Sequence, residues 1–173
     1  KNILSKLKSA CFAHNDTKNF TQTVVSTCLN QGLTLALAES CTGGRLAAEI
    51  TSVPGASQVL DRSIITYSNQ SKIDELNIDP NDISTHGAVS EKIAKKMAQH
   101  IQQKTGSNLA ISITGIAGPD GGTDEKPVGT VFIALADKNE VQVKKIHALG
   151  DREKIQHKAV TEALLMIWEK TGN

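Results

Sequence analysis

Apolar residues along the chain alternate between short continuous runs and longer stretches with helical spacing, separated by glycines and prolines. The strands that the short apolar or β-branched runs predict are 33–38, 62–67, 109–114, 128–136 and 141–147. The helices that helical spacing predicts begin near 20, 44, 70, 90 and 152. Gly32 and Gly106 should end the first and fourth helices, and Asp79-Pro80 is interpreted as a break.

Strands that alternate with helices, followed by one hairpin, predict the fold class. We expect a three-layer α/β/α sandwich whose mixed, mostly parallel sheet includes one antiparallel hairpin. Residues 1–18 carry Ile3, Leu4 and Leu7 at helical spacing and are interpreted as an N-terminal arm or helix. No repeat or linker divides the remainder, so 19–173 should form a single domain.

Composition narrows the class of protein. Hydrophobic residues make up 39% of the chain but aromatic residues only 3%, so the core must be aliphatic. A formal net charge of +1 argues against a nucleic-acid partner, and no apolar run has membrane-spanning length. The three cysteines are far apart in sequence, as is typical of free thiols in a reducing compartment. With no signal-peptide pattern at its start, the chain is expected to be cytoplasmic, with no membrane partner.

Polar turns follow three of the predicted strands, at 39–44, 67–72 and 114–122, and 150–152 opens the last helix. In open α/β sheets, ligands bind outside the carboxyl ends of the strands, so these turns are candidates for a site. Ser40 stands where a strand turns into a helix, a position that suits a nucleophile or an anion site. The alternative is that Ser40 or Thr42 is only a helix N-cap.

The glycine-rich turn after the third strand matches neither a Walker A motif nor a dinucleotide fingerprint. Its four glycines could form a backbone nest for a phosphate or carboxylate, or only a surface loop.

A serine needs a base before it can attack a carbonyl group, and Lys72 is the candidate. Lys72 lies five residues after Tyr67, the only tyrosine of the chain. To be mostly neutral at pH 7, a lysine must lose about 3 pKa units, equivalent to about 4 kcal/mol. Burial and a nearby cation such as Arg152 could lower the pKa in this way. The alternative is an ordinary solvated lysine on a short helix.

Cys41 is a rival nucleophile, but no histidine stands at a spacing that marks it as a partner. A small buried thiol beside the serine is the preferred interpretation. The histidines and acidic residues show no metal-binding spacing, so we expect neither a metal nor a cofactor.

Six motifs occur along the chain in one order. They are Ala-Glu-Ser-Cys-Thr-Gly-Gly at 38–44, Thr-Tyr-Ser-Asn-x-x-Lys at 66–72, His-Gly-Ala-Val-Ser at 86–90, Gly-Ile-Ala-Gly-Pro-Asp-Gly-Gly at 115–122, Lys-Pro-Val-Gly-Thr at 126–130 and Gly-Asp-Arg at 150–152. Together they closely resemble the C-terminal domain of the CinA (competence-damage-inducible protein) family. The resemblance covers about Phe20 to Trp168, and the chain looks like the stand-alone form of that domain.

Enzymatically active members of this family are nicotinamide-nucleotide amidases. The resemblance therefore implies hydrolysis of the carboxamide of nicotinamide mononucleotide to nicotinic acid mononucleotide and ammonia, without a metal. It implies Ser40 as the nucleophile, Tyr67 and Lys72 as its activating pair, and a homodimer or larger homo-oligomer. The candidate substrate-binding residues are Thr42, Gly43, Gly44, Thr114, Gly115, Ala117, Gly118 and Arg152. Among them, the N–H groups around Thr42 and Gly43 are candidates for holding an oxyanion.

One departure from the family pattern follows Gly-Asp-Arg, where many members carry a further arginine and this chain has Gln156 and His157. The departure could weaken phosphate affinity or a subunit contact. Two alternatives to the serine amidase stay open. One is a nucleotide-binding or partner-binding module without turnover, and the other is an amidase that uses Cys41.

Overall fold

The computed structural model describes residues 20–172, which fold around a five-stranded sheet. Its strands are β1 (Leu35–Glu39), β2 (Leu60–Ile65), β3 (Leu109–Gly115), β4 (Thr130–Ala136) and β5 (Val141–His147), in the order β2-β1-β3-β4-β5. Strand β1 is parallel to both of its neighbours, whereas β4 is antiparallel to β3 and β5. Four of the five strands therefore point in one direction, and β4-β5 is the expected hairpin.

Within residues 20–172, six α-helices cover the sheet. They are α1 (Phe20–Asn30), α2 (Arg45–Thr51), α3 (Asn69–Leu76), α4 (Pro80–His86), α5 (Glu91–Thr105) and α6 (Arg152–Lys170). Helices α1, α2 and α6 share one aliphatic core with Leu35 and Leu37, and α3, α4 and α5 share a second core with Ala36 and Ala38. Alternate residues of β1 thus face opposite cores, as the strand pleat requires. The three-layer α/β/α class is confirmed.

The register of the sheet brings the predicted polar turns to one edge. Glu39, the last residue of β1, is paired with Ile65 of β2 and Ile113 of β3. These three strands are parallel, so the segments that follow them all leave the sheet at its carboxyl edge. The turn after Glu39, the residues from Thr66 onward and the glycine-rich loop therefore become neighbours.

Several predicted element boundaries are confirmed and the starts of three strands are shifted. Strand β1 begins at Leu35 rather than at Leu33. The Ser90 hydroxyl caps α5 by accepting from the N–H of Ile93, and Gly106 ends it with a φ of +69°. Strand β2 begins and ends two residues earlier than expected, and β4 begins at Thr130 rather than at Val128.

Asp79-Pro80 does lie at a break, between α3, which ends at Leu76, and α4, but the sequence did not predict that helix α4 begins there. The Asp79 carboxylate accepts a hydrogen bond from the N–H of Asn81 at 2.8 Å, and Pro80 occupies the first turn. A capping aspartate followed by proline is also a start signal for a helix, since the first turn does not need the missing N–H.

The predicted arm, 1–18, lies outside the described residues. Among residues 20–172, no helix is both long and apolar enough to cross a membrane.

Candidate active site

The turn between β1 and α2 is held by Glu39 rather than by a hydroxyl cap. The Glu39 carboxylate is fully buried and accepts hydrogen bonds from the N–H groups of Gly44 (3.0 Å), Leu46 (3.2 Å) and Ala47 (2.9 Å). Gly44 occupies the N-cap position without a side-chain hydrogen bond. The alternative in which Ser40 or Thr42 serves as the N-cap is therefore wrong.

The hydroxyl of Ser40 contacts Lys72. The Nζ atom of Lys72 lies 3.0 Å from Ser40 Oγ and 2.7 Å from the carbonyl oxygen of Thr66. Lys72 belongs to the first turn of α3, which a reciprocal capping box of Ser68 and Ser71 fixes in place. Its side chain is 2% exposed, so the alternative of a solvated lysine is wrong.

Burial lowers the pKa of Lys72 from 10.5 to about 8. At pH 7, about one molecule in ten then carries a neutral lysine beside Ser40. We expected a nearby cation to contribute, but Arg152 is engaged elsewhere, and burial alone lowers this pKa.

Tyr67 and Arg152 meet at the mouth of the site. Arg152, the first residue of α6, donates from Nη2 to the Tyr67 hydroxyl at 2.6 Å and from Nη1 to the Gly118 carbonyl at 2.8 Å. The Tyr67 side chain is 59% exposed. In the described part of the chain, its hydroxyl contacts Arg152, whereas the hydrogen-bond partners of Lys72 are Ser40 and Thr66. Tyr67 therefore forms no direct hydrogen bond with Lys72 in this structure.

A cleft of about 240 Å³ opens beside Ser40. Its lining comes from the serine turn, Tyr67, the glycine-rich loop and the start of α6: Ser40, Cys41, Tyr67, Gly115, Ile116, Ala117, Gly118, Asp120, Gly121 and Arg152. Six of the predicted site residues are in this set: Ser40, Tyr67, Gly115, Ala117, Gly118 and Arg152. Ile116, Asp120 and Gly121 were not singled out, although they belong to the loop that the glycines marked.

Four other predicted site residues are not among those whose side chains line the cleft. The N–H of Gly43 donates to the Ser40 carbonyl at 3.0 Å, and that of Gly44 donates to Glu39, so neither is free for a substrate oxygen. The hydroxyl of Thr114 donates to the Ala88 carbonyl at 2.9 Å. The Thr42 side chain is buried, and its hydroxyl has no hydrogen-bond partner among the described residues.

Two backbone donors of the serine turn remain free. Within residues 20–172, the N–H groups of Cys41 and Thr42 donate to no acceptor on another residue, unlike those of Gly43, Gly44 and Arg45. An unpaired N–H pair directly after a nucleophile is the arrangement that stabilises a developing oxyanion.

The Cys41 thiol is buried, and burial raises its pKa to about 12. A thiol with this pKa stays protonated near neutral pH, which favours the interpretation of Cys41 as a packing residue.

Gln156 reaches the serine turn from α6. Its Nε2 donates to the Cys41 carbonyl at 2.7 Å, and its Oε1 accepts from Arg45 Nε at 2.9 Å. From the sequence, Gln156 was noted only as a departure from the family pattern. The residues around it in the chain do not indicate a contact with Cys41 or Arg45. His157 is exposed and points to Glu153 on the helix surface, 3.7 Å away.

A protein metal site needs several ligating side chains close together. In the described part of the chain, no cluster of three or more His, Cys, Asp or Glu side chains is suitable.

Fold and site together define a class: a three-layer α/β domain with a serine on the turn after its central strand and a buried lysine against it. The family model for the CinA C-terminal domain matches residues 17–171. The chain belongs to the CinA C-terminal domain family.

Curated relatives agree with this assignment. A CinA-like protein of Syntrophotalea carbinolica is 50% identical over 142 residues, which are 82% of this chain and 34% of that protein. A putative competence-damage inducible protein of Acetivibrio thermocellus is 39% identical over 165 residues, 95% of this chain and 40% of the relative. The chain thus spans well under half of the length of these relatives.

Solved structures of similar chains confirm the fold. A competence-damaged protein (CinA) superfamily protein from Klebsiella pneumoniae superposes with a TM-score of 0.85 at 32% identity, over 89% of this chain and 98% of that one. The competence/damage inducible protein CihA from Agrobacterium tumefaciens gives a TM-score of 0.82 at 35% identity, over 88% and 96% of the two chains.

Proposed function

We propose that this domain is a nicotinamide-nucleotide amidase that converts nicotinamide mononucleotide to nicotinic acid mononucleotide and ammonia. The observation that carries the proposal is the 3.0 Å contact between Lys72 Nζ and Ser40 Oγ. A buried lysine of lowered pKa within hydrogen-bond distance of a serine is the arrangement of Ser–Lys hydrolases. The family resemblance supplies the substrate.

Neutral Lys72 takes the proton of the Ser40 hydroxyl as the oxygen attacks the carboxamide carbon. The tetrahedral intermediate then expels its nitrogen, and the Lys72 ammonium returns the proton so that ammonia leaves instead of an amide anion. The remaining ester on Ser40 is hydrolysed by water, from which Lys72 removes a proton in the same way. Serine and lysine are both regenerated at the end of the cycle.

The negative charge that develops on the carboxamide oxygen needs donors in place before the reaction. The free N–H groups of Cys41 and Thr42 are the proposed donors. The N–H groups of Gly43 and Gly44 are not, because they already donate to the Ser40 carbonyl and to Glu39.

The cleft supplies the candidate nucleotide site. Arg152 uses two of its five N–H donors on Tyr67 and Gly118, which leaves further donors for a phosphate or ribose oxygen. Asp120 and the backbone of the loop line the same cleft. We propose that Tyr67 and Arg152 contact the substrate together. We also predict a cytoplasmic role in pyridine-nucleotide salvage. Assembly into a homodimer or larger oligomer is a further prediction, which a molar mass from light scattering would test.

The test is ammonia release from nicotinamide mononucleotide with EDTA present. Ser40→Ala and Lys72→Ala are compared with wild type, and the exposed-site variants Ser57→Ala and Lys95→Ala serve as matched controls. We expect turnover that survives the chelator, falls at least about a hundredfold in both site variants and is unchanged in the controls. A wild type that binds the nucleotide but releases no ammonia indicates a binding module, and an active Ser40→Ala variant removes Ser40 as the nucleophile.

A further inference from the structure

The two peptide groups that follow Ser40 have a shared feature. The first peptide group joins the Ser40 carbonyl to the Cys41 N–H, and the second joins the Cys41 carbonyl to the Thr42 N–H. In both, the N–H is free and the carbonyl oxygen accepts a hydrogen bond. The Ser40 carbonyl accepts from the N–H of Gly43 at 3.0 Å, and the Cys41 carbonyl accepts from Gln156 Nε2 at 2.7 Å.

A trans peptide is planar, with its C=O and N–H pointing to opposite sides. A contact that fixes the carbonyl oxygen therefore also fixes the direction of the N–H. For the first peptide that contact is local and part of the turn itself. For the second it comes from a side chain of helix α6 that is 115 residues away in sequence.

Gln156 is well suited to hold a peptide in one orientation. Its side chain is buried, at 7% exposed, and Arg45 Nε donates to its Oε1 at 2.9 Å. Arginine only donates and a carbonyl only accepts, so a single orientation of the Gln156 amide satisfies both neighbours. Gln156 also stands four residues after Arg152, so the first turns of α6 serve both the cleft and the serine turn.

We propose that Gln156 is a positioning residue that holds the Cys41–Thr42 peptide so that the Thr42 N–H is directed at the oxyanion of the tetrahedral intermediate. This inference rests on the proposed amidase function. Full negative charge on the oxygen exists only after attack, so a misdirected donor slows turnover without weakening substrate binding.

The experiment measures kcat, KM and the pH dependence of ammonia release for wild type, Gln156→Met and Gln156→Glu. Methionine keeps the volume of the side chain and removes both hydrogen bonds. Glutamate keeps the contact with Arg45 but places an oxygen against the Cys41 carbonyl. Gln142→Met, on the exposed face of β5, is the matched control. Thermal unfolding of each variant reports whether the fold is retained.

We expect kcat to fall at least about tenfold in both Gln156 variants, less than the full loss of an oxyanion donor, with KM changed less than about twofold. In Gln156→Met the midpoint of the pH profile should stay at the wild-type value, because no charge is introduced near Lys72, whereas the added carboxylate of Gln156→Glu should raise it. Gln142→Met should match wild type.

Two results overturn the positioning role while leaving the amidase in place. In one, wild type is active and both Gln156 variants keep kcat within about twofold of it. In the other, kcat of Gln156→Met falls together with a shifted pH midpoint and a lower unfolding temperature, which indicates a purely structural role. A wild type that releases no ammonia instead contradicts the amidase itself, and this inference with it.

Discussion

The Nζ atom of Lys72 lies 3.0 Å from the Oγ atom of Ser40, although the two residues are 32 positions apart in the chain. The parallel pairing of β1 with β2 brings them together, because the segments after both strands leave the same edge of the sheet. Lys72 is held there without an acidic partner: its hydrogen-bond acceptors in the described residues are the serine hydroxyl and the Thr66 carbonyl. A lysine in such a setting is more easily deprotonated than one in water.

The pH dependence of turnover follows from this lowered pKa. Lys72 acts as a base only in its neutral form, and burial lowers its pKa to about 8. We expect kcat/KM for ammonia release to rise about tenfold per pH unit below this value and to level off above it. A profile that is flat between about pH 6 and about pH 9 would contradict the assignment of Lys72 as the base.

Stability should also depend on pH through Lys72. The folded-state pKa of about 8 lies below the ordinary 10.5, so between these values the unfolded chain binds more protons than the folded one. The burial penalty on the ammonium is therefore fully present below pH 8 and fades as the pH rises toward 10.5. For wild type, this contribution should add about 2 kcal/mol to the free energy of unfolding between about pH 7.5 and about pH 9.5.

Lys72→Met is the comparison that isolates this contribution, because methionine fills a similar volume and does not titrate. As the pH rises from about 7.5 to about 9.5, the free energy of unfolding of Lys72→Met minus that of wild type should fall by about 2 kcal/mol. Urea unfolding at both pH values measures it. In the unfolded chain Cys28 and Cys41 also titrate in this range, but this contribution is common to both proteins and cancels in the difference. If the difference in stability between Lys72→Met and wild type does not change with pH, this prediction is wrong.

A third prediction concerns the thiol beside the nucleophile. Because burial raises the pKa of Cys41 to about 12, its reactive thiolate is scarce near neutral pH. We expect native protein to keep its activity after treatment with iodoacetamide, and Cys41→Ala to stay within about fivefold of wild type, since the Cys41 N–H is retained. Loss of activity in Cys41→Ala together with an active Ser40→Ala would instead establish a cysteine amidase.

The fold was predictable because its signals are strong and local. The strand runs from Leu33 and Leu109 are mostly aliphatic, and Gly32 and Gly106 mark helix ends with positive φ. Helix α4 was missed because Asp79-Pro80 is as typical of a helix start as of a turn. Whether the residues after Pro80 form a helix or a turn depends on what they pack against. The one residue of α4 that is buried in the core is Ile83, and a single apolar residue does not show helical spacing.

The candidate site was predictable only in part, and the missing part consists of long-range contacts. Strand ends and turn composition identified Ser40 and Lys72 as candidates. A hydroxyl of Ser40 or Thr42 was the only cap considered for α2, because Glu39 lies five residues before the N-cap and capping patterns do not extend that far. The contact of Gln156 with Cys41 joins residues 115 positions apart, and no spacing rule indicates it.

The last prediction separates two roles for Tyr67. The resemblance places it with Lys72 as an activating pair, whereas in the structure its hydroxyl accepts from Arg152 at 2.6 Å. If the hydroxyl mainly orients Arg152 toward the substrate, Tyr67→Phe should raise KM for nicotinamide mononucleotide about fivefold and lower kcat less than about threefold. Arg152→Lys should raise KM about tenfold, because lysine cannot reach both Tyr67 and Gly118 with a planar pair of donors.

The double variant tests whether the two effects share one contact. Because Tyr67 and Arg152 act through a single hydrogen bond, the KM of Tyr67→Phe/Arg152→Lys should equal that of Arg152→Lys alone, instead of the product of the two increases. The exposed-site variant Lys95→Ala sets the experimental scatter. If Tyr67→Phe lowers kcat as much as Lys72→Ala does, the hydroxyl acts on the base during catalysis, and Arg152 must release it when substrate binds.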